Sequence, residues 1–223
     1  MSRIARAIAP GFPHHVVQRG NNKDQVFFDR EDRRRYLSLL RKYAKKWNAP
    51  VWAYCLMSNH VHLLIRPTSE TSLYKMMQGL ALCYTQHINR KVGRTGRLWE
   101  SRYHSCIVEQ ERYLWAAARY IEQNPVRARI VKKPEEYPYS SAKAHVTGER
   151  NPVLGEELFP PEDRGDYVSL LGETLFPALT EDMRHHTRRG TPLGAEDFVE
   201  GIEAKLGRSL VRKPRGRPKR GIE

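Results

Sequence analysis

Apolar and polar positions follow two different periods over roughly the first 130 residues. "HHVVQRG", from His14, is a short β-branched run closed by a glycine and predicts a strand. Asp29 or Asp32 can cap a helix in which Tyr36, Leu37, Leu40, Tyr43, Ala44 and Trp47 recur at helical spacing, with Asn48 and Pro50 stopping it. "VWAYCLM" predicts a mostly buried strand, "SN" a tight turn and "HVHLLIRP" a returning strand, so a hairpin. Leu73, Met76, Met77, Leu80, Tyr84 and Ile88 then share a helical face that Gly93 ends. "GRTGRLWESRYHSCIV" is a basic glycine turn leading into another strand. "EQERYLWAAARYIEQN" is a helix with Leu114, Ala117, Ala118 and Ile121 on one side; Pro125 closes it, and "PVRARIV" starts a further helical turn.

Strand, helix, strand, strand, helix, strand, helix is the order of an α+β ferredoxin-like sandwich: one antiparallel sheet with helices packed on one face. We place this unit at residues 1–148 and a C-terminal extension at 149–223. The extension begins acidic and proline-rich over residues 150–182. "HHTRRGTPLGAEDFVEGIEAKLGRSL" reads as a small helical segment, and "VRKPRGRPKRGIE" has no apolar residues for a core and is expected to be disordered when free. No internal repeat is visible.

Charge narrows the function. The 223 residues carry 39 Lys+Arg against 25 Asp+Glu, a net charge of +14. Such a surplus points first to nucleic acid, where phosphate contacts release counterions. An anionic membrane comes second, and the chain shows neither an apolar run long enough to span one nor an evident amphipathic anchor. "MSRIARAIAPGFPHH" is not read as a signal peptide. Cys55, Cys83 and Cys106 are widely spaced and odd in number, as expected of reduced thiols in the cytoplasm.

Candidate chemistry lies in "LMSNHVHLLI". Residues i and i+2 of a strand share a face, so His60 and His62 project together while Val61, Leu63 and Ile65 face a core. Their Cβ atoms would be roughly 6–7 Å apart, close enough for both rings to meet one metal ion. Two imidazoles need a third partner. Tyr120 and Asn124, at i and i+4, share a helix face about 5–6 Å apart at Cβ, and the Asn124 amide oxygen could complete the site. From the residues alone, a core tyrosine and a helix-end asparagine are the better explanation of that pair.

"YCLMSNHVHLLI" and "RYIEQNPVRARIV" resemble the histidine strand and the tyrosine helix of the REP-associated tyrosine transposases, within the single-tyrosine HUH transposases. "RGNNKDQVFF", "GRLWESRYHS" and "TPLGAEDFVEGIEAKLGR" are similar to further blocks of that family, in the same order along nearly the whole chain. The resemblance implies a ferredoxin-like fold, His60, His62 and Asn124 as metal ligands, and Tyr120 as nucleophile. It implies Mg²⁺ or Mn²⁺ as cofactor, which oxygen and imidazole ligands with open positions also suit. The substrate it implies is single-stranded DNA with a palindromic hairpin, cut through a 5′-phosphotyrosine and rejoined. Related enzymes pair two chains, whereas the long extension suits a monomer, so both states stay open.

Binding of single strands requires a positive groove with stacking surfaces. Arg94, Arg97, Trp99, Arg102, Tyr103 and His104 interleave charge and aromatics around a glycine turn; a solvated basic hairpin with Trp99 in the core is the alternative. Arg19, Asn21 and Asn22 could read bases or make a turn, and Arg127 and Arg129 could hold phosphates. Arg215 and Arg217 in "KPRGRPKR" resemble an AT-hook or form a nonspecific polybasic tail. His14, His15, His185 and His186 are taken as structural or surface groups. A noncatalytic hairpin-binding regulator and a ferredoxin-like RNA reader are the competing functions; the latter would carry aromatics, rather than two histidines, on its open sheet face.

Overall fold

The computed structural model describes residues 6–210. Four strands, β1 His14–Arg19, β2 Val51–Leu56, β3 His60–Ile65 and β4 His104–Ile107, form one sheet in the order β2-β3-β1-β4. Every neighbouring pair is antiparallel. Helix α1, Arg30–Lys46, joins β1 to β2, and α2, Ser72–Val92, joins β3 to β4. This is the ferredoxin-like order expected, with β1 and β3 at the centre.

Local chemistry fixes the helix ends. The Asp29 carboxylate accepts from the Asp32 amide and the Asp32 carboxylate accepts from the Asp29 amide, a reciprocal cap, so both candidate caps act. Asp32 is buried, and Lys91 near the end of α2 donates to both carboxylates at 2.6 Å. Gly93 terminates α2 at φ 63°, a left-handed conformation that glycine adopts without steric cost.

Alternation along the strands separates two cores. Val16, Tyr54, Leu56, Val61, Leu63 and Ile65 pack beneath Tyr36 and Leu40 of α1 and Met76, Met77, Leu80 and Tyr84 of α2. Ala53, Cys55, Leu64 and Cys106 belong to the second core, on the opposite face. That face is covered by α3, Gln110–Glu122, with α6, Arg164–Gly172, and α7, Pro177–Arg189, packed around it. The expectation of helices on one face therefore holds for α1 and α2 alone. The reverse face of β2 and β3 is also apolar and must be covered, and α3 and the extension cover it.

The helix α3 is locked at its C-terminal end. Glu122 is fully buried and accepts from Ser141 Oγ at 2.5 Å, His145 Nδ1 at 2.7 Å and Tyr167 Oη at 2.8 Å. These donors lie just before α5, Ala142–Thr147, within it, and on α6. Gln123 Nε2 donates to the carbonyls of Leu171 and Glu173. A four-residue helix, α4 Asn124–Arg127, follows, in line with the turn expected at "PVRARIV".

The extension contributes more helix than the sequence pattern revealed. α6 was not anticipated, α7 begins well before His185, and α8, Glu196–Leu206, matches the segment expected there. Ile202 of α8 packs on Ala9 and Ile107. The basic tail with Arg215 and Arg217 lies outside the described residues. Among the described residues no helix is long and apolar enough to cross a membrane, and the three cysteines are free.

Candidate active site

His60 and His62 project from β3 onto the face that α3 covers, with ring centroids 5.0 Å apart. Opposite them, Tyr120 of α3 places its ring 5.7 Å from that of His62 and 5.5 Å from that of His15. The strand supplies the histidines and the covering helix supplies the tyrosine, so the site forms only when α3 seats on the sheet.

His60 is oriented by its own turn. Its Nδ1 lies 2.6 Å from Asn59 Oδ1, while Asn59 Nδ2 donates to the Lys23 carbonyl at 2.8 Å. With the Asn59 nitrogen committed, its oxygen can only accept, so His60 donates from Nδ1 and keeps a lone pair on Nε2. Burial is the largest influence on the histidines: it lowers His60 to about 4, with Arg19 and Arg127 adding repulsion. Burial likewise takes His62 well below its ordinary value. Both rings are thus neutral at physiological pH, the state a metal ligand needs.

Asn124 sits one turn beyond Tyr120. Its amide nitrogen donates to the carbonyls of Tyr120 at 3.0 Å and Ile121 at 3.1 Å, satisfying the frayed end of α3. Its Oδ1 is thereby the atom left to accept or ligate. Among the described residues no cluster of three or more His, Cys, Asp or Glu could hold a metal. The donors on offer to a cation would be the two imidazoles and the Asn124 amide oxygen. Such a set fits a divalent ion that keeps open positions for phosphate or water, and does not fit a closed zinc site.

Cationic groups surround the tyrosine. Arg127 Nη2 donates to the Tyr120 carbonyl at 2.9 Å, and the guanidinium carbon lies 4.4 Å from the Tyr120 ring centroid. Burial lowers the Arg127 pKa, and Tyr120 opposes that shift. Arg184 on α7 is held up first by Glu181, and the neighbouring Tyr120 adds to the effect.

The basic loop is assembled beside the site. Gly20 pairs with Trp99, the Asn21 amide donates to the Leu98 carbonyl, and the Glu100 amide donates to the Arg19 carbonyl. Gly20 lets the turn that follows it fold back on β1, because a Cβ there would lie 2.2 Å from the Asp24 carbonyl oxygen. Arg19, Arg97 and Arg102 are exposed and Asn21 is half-buried. Trp99 and Tyr103 are instead buried at 7% and 5% exposure. Trp99 packs in the aromatic core with Tyr36 and Tyr84, and Arg6 lies 4.1 Å over the Tyr103 ring. The expected stacking surface is thus a cationic edge on an aromatic base, because the α1–α2 core takes the rings.

Sequence reasoning set His15 aside, and the structure places it in the site. Its Nε2 lies 2.9 Å from His62 Nδ1 and its Nδ1 lies 2.7 Å from Thr187 Oγ1. Strand parity put His14 and His15 on opposite faces; only the β1–β3 pairing shows that His15 shares the face of His62. Arg184 and Thr187 lie in the extension, which carried no signal for them. His14 points the other way, with Nδ1 donating to the Phe12 carbonyl and Nε2 accepting from the Ala9 amide.

Residues 11–124, about half of the chain, match the IS200-like transposase family. Over 110 residues the chain is 26% identical to a curated REP-associated tyrosine transposase of Haemophilus influenzae, covering 45% of this chain and 62% of that protein. The fold is shared with a solved REP-associated tyrosine transposase bound to a REP hairpin: TM-score 0.51 and 15% identity, over 79% of this chain and 99% of that one. A solved transposase from Deinococcus radiodurans aligns at TM-score 0.38 and 19% identity, over 58% of this chain and 92% of the other.

Proposed function

Because the chain belongs to the IS200-like transposase family, we propose that it cuts and rejoins hairpin-bearing single-stranded DNA through Tyr120. The observation that carries this reading is Tyr120, buried against His62 at 5.7 Å with His60 alongside. A nucleophile, two neutral imidazoles and a cationic neighbour converge there, on a helix whose end is locked to the rest of the fold.

The Tyr120 hydroxyl oxygen attacks the scissile phosphorus. A P–Oη bond forms, the bond to the 3′ oxygen breaks, and the departing 3′ oxygen gains a proton as the tyrosine loses one. The DNA is left as a 5′-phosphotyrosine, whose ester bond a second 3′-hydroxyl can displace without external energy. His60, His62 and Asn124 would hold Mg²⁺ or Mn²⁺. When bound, that ion withdraws charge from the phosphate and makes phosphorus easier to attack. Arg127 offsets the charge that develops beside the tyrosine. Arg19, Asn21, Arg97 and Arg102 line the path of the strand. Trp99 and Tyr103 support that loop from the core, and Arg215 and Arg217 would add tail contacts. The substrate class is a palindromic hairpin with a single-stranded flank. Tyr120 and the histidines come together within one chain, an arrangement that a monomer or a homodimer can use.

The test is incubation of labelled hairpin single strands from the gene's own flanks with Mn²⁺ or Mg²⁺, followed by a denaturing gel. A covalent protein–DNA band that disappears with Tyr120→Phe and with chelator supports the proposal. A noncatalytic hairpin-binding protein is the alternative, favoured by the low exposure of Tyr120, 3%. Tight hairpin binding with no cleavage in either metal would establish it.

A further inference from the structure

A chain of hydrogen bonds runs from the site into the C-terminal extension. His62 Nδ1 meets His15 Nε2 at 2.9 Å, His15 Nδ1 meets Thr187 Oγ1 at 2.7 Å, and Thr187 Oγ1 meets Cys106 Sγ at 3.2 Å. All four residues are buried: His15 1%, His62 5%, Cys106 2% and Thr187 4% exposed. Thr187 belongs to α7, outside the segment that matches the family.

Burial allows two arrangements of protons along this chain. Each neutral imidazole has one N–H and one lone pair, and here each nitrogen named has a single partner. In one arrangement His62 donates to His15, His15 donates to Thr187, and the Thr187 hydroxyl points to Cys106. His62 Nε2 then keeps its lone pair. In the reverse arrangement every proton moves one step inward, and His62 presents an N–H where a ligand atom should be. Only the first makes His62 a donor to a cation. The thiol end favours it, because a sulfhydryl is a weak donor and Thr187 Oγ1 is a good acceptor for His15.

We propose that Thr187 and His15 are positioning residues: through this relay α7 holds His62 in its Nδ1–H form, so that the extension completes the metal site. This rests on the reading of His60 and His62 as ligands, and it assigns the segment after residue 148 a part in the site itself. The pattern is that of second-sphere partners, which orient a histidine by binding its other nitrogen and whose loss typically weakens metal affinity by about 10–100-fold. His60 has the equivalent partner within its own turn, in Asn59. His62 depends, through His15, on a residue about 125 positions downstream.

The full-length protein, Thr187→Val and Thr187→Ser are compared by two readouts. Valine matches threonine in shape and removes only the hydroxyl, and serine restores it. Nitrogen-15 shifts of the imidazoles in the metal-free protein report the tautomer of His62. Calorimetric titration with Mn²⁺ reports affinity. The expected result is Nδ1–H for His62 in the parent, a shift toward Nε2–H in Thr187→Val with Mn²⁺ binding at least about 10-fold weaker, and recovery of both in Thr187→Ser. An Nε2–H tautomer in the parent, or a folded Thr187→Val with unchanged tautomer and unchanged Mn²⁺ affinity, overturns the relay. A parent that shows the Nδ1–H tautomer and binds Mn²⁺ yet cuts no hairpin DNA overturns the proposed activity and leaves the relay standing.

Discussion

Arg127 holds Tyr120 at two points: Nη2 donates to its carbonyl at 2.9 Å, while the guanidinium carbon lies 4.4 Å from the centre of its ring. The first contact fixes the end of α3. The second places a cation against the ring whose charge would change in the proposed attack, in a setting buried enough to strengthen it.

Replacing Arg127 with methionine keeps most of its packing and removes the charge. Loss of one such charge-stabilising group slows chemistry by about 100-fold or more. Single-turnover formation of the covalent adduct should fall by that factor, with hairpin affinity falling far less. An equal loss in both would make Arg127 a DNA-affinity residue and nothing more.

Glu122 lies on the same helix as Tyr120, and its three partners, Ser141, His145 and Tyr167, all belong to the structural side. Glu122→Ala would leave the buried His145 and Tyr167 donors without an acceptor and Ser141 with only the Tyr54 carbonyl at 3.3 Å, at a cost of about 3 kcal/mol. Denaturant unfolding should show that loss. The cleavage rate per folded molecule should stay at the parent value; a folded variant that no longer cleaves would make Glu122 a proton acceptor.

Asp32 ties α1 to α2. Burial alone would raise its carboxyl, but Lys91 and the amides of Phe28 and Asp29 hold it below its ordinary value. Asp32→Ala removes half of the reciprocal cap and the buried partner of Lys91, which should cost about 2 kcal/mol. The urea midpoint is the readout, and the α1–α2 face should be affected while Mn²⁺ binding is retained. An unchanged midpoint would mean that the cap and ion pair contribute nothing net.

Stability should fall in acid through His14, which burial lowers from 6.5 to about 4. The unfolded chain then binds a proton that the folded chain refuses. The contribution is intact above pH 6.5 and is lost as pH falls from 6.5 toward 4, by about 3 kcal/mol at most. His15 and His60, lowered by burial to about 3 and about 4, act in the same direction. Unfolding free energy measured at pH 7.5, 6 and 5 should decline in that order. His14→Gln, which can make both of the backbone bonds of His14, should flatten the slope; an unaltered slope would assign it to other groups.

Much of the architecture was legible from periodicity. Alternation in β3 sorted Val61, Leu63 and Ile65 from His60 and His62, and the helical spacing of Tyr36, Leu40 and Tyr84 marked the faces that pack. Local turn chemistry marked helix ends, with Asp29, Asp32, Gly93 and Pro125 acting within a few residues of their own position. These signals survive in a linear sequence because each is fixed by neighbours in the chain.

What the tertiary structure alone decided depends on distant partners. The proximity of Tyr120 to His62 comes from seating α3 on the sheet's second face. Trp99 and Tyr103 became core because the α1–α2 layer had room for rings, which no local pattern states. His15 and Thr187 meet across 172 positions, so the role of His15 could not be read from strand parity, and that of Thr187 left no pattern at all. The sequence determined that His60 and His62 share one strand face and that Tyr120 and Asn124 share one helix face; packing of α3 and the extension against the sheet decided which groups meet, because hydrogen bonds between buried groups are set by distance in space and not by spacing along the chain.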